Sequence, residues 1–76
     1  VYQLVNLSVI DANFAAGDVV DAESLRAKSL LGKAALPIKV LANGEITKAV
    51  TVKAEAFSQA AIAKIEAAGG KTEILG

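Results

Sequence analysis

Residues 49–75 read AVTVKAEAFSQAAIAKIEAAGGKTEIL and hold a strand, a helix and a second strand in immediate succession. Over 49–54 the residues alternate. Val50 and Val52 point one way, Thr51 and Lys53 the other, and Lys48 falls on the valine side at the fringe. Ser58 is a good N-cap for a helix over 58–68, and Phe57 before it is placed to staple onto Ile62. Ala61, Ile62, Ile65 and Ala68 recur at spacings of three and four and form one apolar stripe. Gly69-Gly70 ends the helix as a left-handed C-cap, and a strand follows over 71–75. A strand–helix–strand unit with links this short predicts parallel strands joined by a right-handed crossover.

Upstream the plan repeats. A strand is predicted over 3–7. Ser8-Val9-Ile10-Asp11 has the form of a capping box and predicts a short helical turn over 9–14. Asp21 caps a helix over 22–29, with Glu23 in its first turn, Arg26 and Lys28 in its last turns, and Gly32 as its stop. Pro37 holds Leu36 extended, and a strand follows over 38–42. Asn43-Gly44 is a turn signal. The predicted fold class is α/β: a small irregular strand–strand–helix layer fold with about four strands and two main helices, residues 1–76 making a single globular domain.

Composition narrows the chemistry. Of 76 residues, 54% are apolar and 21% charged, which is a packed globular composition. The core is aliphatic, because only Tyr2, Phe14 and Phe57 are aromatic. Cys and His are both absent, which removes disulfides, zinc fingers, thiol nucleophiles and imidazole catalysis. A chain without cysteine fits the cytoplasm. No apolar run approaches the ~20 residues of a membrane span. Gly69-Gly70 follows a helix, where exposed carbonyls repel anions, so it is a cap and not a phosphate loop. Asp11, Asp18 and Asp21 gather near a helix start, where acids cap. No serine stands in a nucleophile elbow. These residues predict no enzyme, no cofactor, no metal and no small-molecule substrate.

Net charge is zero, but its distribution is uneven. Residues 1–32 carry four acids and two bases, residues 33–53 four bases and one acid, and residues 54–76 three acids and two bases. The basic middle holds Lys33, Lys39, Lys48 and Lys53 around the Asn43-Gly44 turn. Two readings of these lysines stay open on spacing alone: a solvated outer sheet face, which is the commoner case, and a patch that meets phosphates. No aromatic residue adjoins them in sequence, which argues against base stacking.

Residues 39–69 resemble the signature of the bacterial large-subunit ribosomal protein fifteen family. The resemblance rests on Lys39-Val40-Leu41-Ala42, Gly44, Ile46, Val50, Val52, Lys53-Ala54-Glu55-Ala56, Phe57-Ser58, Ala61, Ile65 and Gly69. The flanks agree, at Val5-Asn6-Leu7-Ser8, Ala22-Glu23-Ser24-Leu25, Leu36-Pro37-Ile38 and Glu66-Ala67-Ala68. The resemblance implies a structural constituent of the large ribosomal subunit, cytoplasmic and not an enzyme. Its implied partners are large-subunit ribosomal RNA and neighbouring large-subunit ribosomal proteins, with no membrane partner. It also implies that these residues are the C-terminal part of a longer chain, because the family carries a basic, Gly-rich N-terminal extension that this sequence does not contain. The RNA-binding residues expected here are Lys33, Lys39, Lys48 and Lys53, with Asn43 and Gly44. The alternative is a protein–protein interaction module without direct RNA contact, using exposed positions such as Leu41 and Leu75.

Overall fold

The computed structural model describes residues 1–32 and 34–76. The chain runs β1 (Gln3–Asn6), α1 (Leu7–Asn13), β2 (Val19–Val20), α2 (Ala22–Ala27), β3 (Ile38–Leu41), β4 (Thr51–Ala54), β5 (Ala56–Phe57), α3 (Gln59–Ala67) and β6 (Lys71–Ile74). Odd-numbered strands form one sheet in the order β1-β3-β5, and even-numbered strands form a second in the order β2-β4-β6. Every pairing is parallel. The chain thus changes sheet at each successive strand and winds through three turns, each adding one strand to either sheet. The predicted parallel units are present: β1 pairs with β3 and β4 with β6. The four predicted strands and two main helices lie within about two residues of their expected limits. The two-residue strands β2 and β5 were not predicted, being too short to show a period, and the predicted turn at 9–14 is a two-turn helix beginning at Leu7.

Alternation along the strands builds the core. In β3 the inward residues Ile38 and Val40 are buried; in β4 they are Val52 and Ala54. Val5 and Val20 complete the inner faces, and Leu7, Ile10, Leu25, Ala61 and Ile65 close over them from the helices, in one cluster that includes Phe14, Ile46 and Val50. Burying one such Leu or Ile stabilises by roughly 1.5–3 kcal/mol. Among the described residues no polar or charged residue is fully buried. Phe57 is only half-buried against this cluster.

Local signals explain most boundaries. Asp21 caps α2 reciprocally: its carboxylate accepts from the Ser24 N–H at 2.9 Å, and the Ser24 hydroxyl accepts from the Asp21 N–H at 2.9 Å. Ser58 caps α3 by accepting from the Ala61 N–H at 3.2 Å. Two expectations need correction. Ser8 is not an N-cap; α1 begins two residues earlier, at Leu7 behind Asn6, whose side chain makes no capping bond. Gly32 does not stop α2, which ends at Ala27 with Ser29 left-handed at φ 59°. The Asn43-Gly44 turn is present, and it links strands of different sheets. Gly44 turns at φ 84° beneath α1, where the Ser8 N–H donates to the Asn43 carbonyl at 3.0 Å.

The shortest passage between the two sheets is a single residue. β4 ends at Ala54, β5 starts at Ala56, and Glu55 lies between them. Its Oε1 accepts from the Ile38 N–H at 2.8 Å, so a side chain completes the bonding of the first residue of β3.

Candidate nucleic-acid interface

The basic residues of the middle third occupy distinct places. Lys39 stands at the centre of β3 on the outer face of the odd sheet, in register with Leu4 on one side and Ala56 on the other. Lys53 stands on the outer face of the even sheet, in register with Glu73. The two project from different sheets and not, as the sequence suggested, from adjacent strands around one turn. Lys33 lies outside the described residues.

Lys48 is turned inward upon α1. Its Nζ donates to the Asp11 carbonyl at 2.6 Å and to the Phe14 carbonyl at 2.9 Å, so its ammonium sits on unsatisfied carbonyls at the helix C-terminus. The neighbouring Thr47 binds the same helix. Its N–H donates to Asp11 Oδ1 at 2.8 Å and its hydroxyl to the same oxygen at 2.9 Å. The Thr47 backbone N–H, then the Thr47 hydroxyl and the Lys48 charge, hold the Asp11 carboxyl below the ordinary aspartate value.

The Asn43-Gly44 turn is held from two sides. Ser8 binds it from α1, and Lys64 reaches it from α3, donating to the Gly44 carbonyl at 3.0 Å and to Glu45 Oε2 at 3.0 Å. Sequence reasoning missed Lys64 as part of this region; its place on the polar side of a helix carried no sign of which loop it would reach. The Lys64–Glu45 contact is the only ion pair among the described residues.

The acids act locally. Asp18 Oδ2 accepts from the Ala15 N–H at 2.8 Å, and Asp21 caps α2. The Ser24 backbone N–H is the main cause that holds the Asp21 carboxyl below its ordinary value, with the nearby Lys53 charge adding to it. Among the described residues no three potential metal ligands cluster and no pocket opens. No helix is long and apolar enough to cross a membrane. The sheet faces carry the half-buried lysines Lys39 and Lys53, a residue type suited to positioning against phosphates.

A module of two parallel three-stranded sheets bearing lysines on their outer faces is therefore the class of protein in question, and comparison with known proteins resolves the family. The family model for ribosomal proteins 50S-L15, 50S-L18e, 60S-L27A matches residues 4–73, and the chain belongs to that family. It is 58% identical over 72 residues to the large ribosomal subunit protein uL15 of Trichlorobacter lovleyi, covering 95% of this chain and 48% of that relative. It is 53% identical over 75 residues to the uL15 protein of Syntrophotalea carbinolica, covering 99% of this chain and 51% of that relative. For the uL15 protein of Micrococcus luteus the figures are 51% over 74 residues, 97% and 49%. The chain thus spans about half the length of the curated relatives it matches.

Proposed function

We infer that this chain is the C-terminal globular part of a structural constituent of the large ribosomal subunit, that it contacts ribosomal RNA, and that it works in the cytoplasm without enzymatic activity. The single observation that carries this reading is the family match across residues 4–73. The charge pattern supports it. Lys39 and Lys53 project from the two sheet faces and can each meet a phosphate; Lys33 and the Asn43-Gly44 turn belong to the same basic third of the sequence. Lys48 adds positive charge to that region while its ammonium caps α1. Lysine is a point charge without the planar fork that reads base edges, so these contacts position the domain and do not select sequence. Neighbouring ribosomal proteins are further partners in this reading, and Ile74, 67% exposed on the edge strand β6, favours such a contact.

Titration of large-subunit RNA fragments across several salt concentrations tests the RNA contact. The wild-type chain should bind weakly, with affinity falling steeply as salt rises. The Lys39→Gln, Lys53→Gln double variant should lower the magnitude of the salt slope by about one to two. Equal slopes for the two proteins would move RNA contact away from these lysines. Salt-independent association with ribosomal proteins alone would favour the protein-interaction reading instead.

A further inference from the structure

The outer face of the odd sheet differs from the rest of the surface. Leu4 is 61% exposed on it and stands in register with Lys39. Tyr2, 44% exposed, lies just before β1 and two positions before Leu4, so an extended backbone at that point sets it toward the same face, roughly 7 Å away. Tyr2 is the single tyrosine, and the chain has no tryptophan. Lys39 has no carboxylate partner, because the ion pair among the described residues is Lys64–Glu45. Glu55, the acid next to Ala56 at the far edge of this sheet, turns one oxygen to the Ile38 amide. The even sheet is different: there Lys53 is in register with Glu73 and close to Asp21.

We propose that Tyr2, Leu4 and Lys39 form a stacking platform for an unpaired stretch of RNA. One base lies on the Tyr2 ring, the next rests against Leu4, and the Lys39 ammonium takes the phosphate between or beside them. The two-residue strand spacing matches the separation of successive splayed bases. Any base presents a flat π-face, so the platform tolerates sequence. The platform is small. Three side chains cannot supply the ~800 Å² per partner of a stable protein interface, but they suffice for one or two nucleotides. Parallel pairing of β1 with β3 creates it, by setting Leu4, two residues after Tyr2, in register with a lysine far along the chain. The proposal rests on the reading of the chain as RNA-binding and names the form of RNA this face takes.

Because Tyr2 is the sole tyrosine in a chain without tryptophan, its fluorescence reports this one position. The 76-residue chain is titrated with oligouridylate and with an RNA hairpin duplex, each end-labelled so that anisotropy measures binding independently. The single strand should quench Tyr2 emission by about half or more, and the duplex much less. Tyr2→Ala should weaken single-strand binding roughly fivefold or more while leaving duplex binding unchanged, and Tyr2→Phe should retain it. Lys39→Gln should lower the salt slope by about one. Binding seen by anisotropy without quenching overturns the platform and leaves RNA binding standing. No binding of either RNA overturns both. Quenching by a ribosomal protein and not by RNA assigns the face to a protein neighbour and overturns the proposal.

Discussion

Ser29 and Gly69 occupy the same place at the ends of α2 and α3, and their difference is measurable. In both, the residue after the C-cap is left-handed, at φ 59° and 87°, and closes the helix by the same pair of bonds. The Leu30 N–H donates to Leu25 and the Ser29 N–H to Arg26; the Gly70 N–H donates to Ile65 and the Gly69 N–H to Glu66. This is the Schellman arrangement, for which glycine has no Cβ penalty. Serine adopts that backbone at a cost, so Ser29→Gly should stabilise by about 0.5–1 kcal/mol despite the added freedom of the unfolded chain. Urea denaturation with an unchanged m-value checks it. Gly70 has another reason to be glycine: a Cβ there would collide with the Val50 carbonyl, which accepts the Lys71 N–H at 3.0 Å. Gly44 is constrained twice, by its φ of 84° and by Ser8 Cβ, 2.6 Å from where its own Cβ would be. Gly70→Ala and Gly44→Ala should each destabilise by about 2 kcal/mol or more, from strain that packing cannot relieve. The glycine pair was legible in the sequence as a cap, but the close approach at Gly70 was not, because it depends on Val50, twenty residues away at the entry to β4.

At the scale of elements, the longer segments were readable because their signals are local: Ser58 and Asp21 as caps, Val50 and Val52 as an alternating pair. What the sequence left hidden was how elements meet. Glu55 stands in the signature without any sign of its bonding role, yet its carboxylate completes the β3 backbone as the chain passes from one sheet to the other. Glu55→Ala should cost about 1 kcal/mol by leaving the Ile38 amide without its charged acceptor, and hydrogen exchange at Ile38 should quicken. Glu55→Gln keeps an acceptor and should fall between. Lys48 was legible as a base and therefore as a phosphate ligand, but its ammonium serves the end of α1. The two phenylalanines differ in burial. Phe57 is half-buried, whereas Phe14, 4% exposed, sits within the core and has Lys28 Nζ 5.1 Å from its ring centroid. Phe14→Ala should therefore destabilise by about 3–5 kcal/mol, and Phe57→Ala by less, in paired thermal melts.

For the whole molecule, the hydrogen bonds of two aspartates, one long-range and one local, set its response to pH. Asp11 joins α1 to the loop before β4, and Asp21 anchors the start of α2. Both carboxyls are held below the ordinary aspartate value, the first mainly by the Thr47 backbone N–H and the second mainly by that of Ser24. A carboxyl whose folded value is depressed binds its proton more readily in the unfolded chain. Its contribution is fully present above the unfolded value and is lost as pH falls through the folded one. There is no histidine to titrate between pH 5 and 8. The melting temperature should therefore be nearly flat across that range and decline below about pH 4. Asp11→Asn should lower the plateau and shallow the acid decline, because the amide oxygen can still accept from Thr47 but no longer exchanges a proton. The same decline in the variant as in the wild type would transfer the acid sensitivity to other carboxylates, Asp21 first among them. Thermal melts of the two proteins from pH 2 to 8 distinguish these outcomes, and Asp21→Asn tests the second tie in the same way.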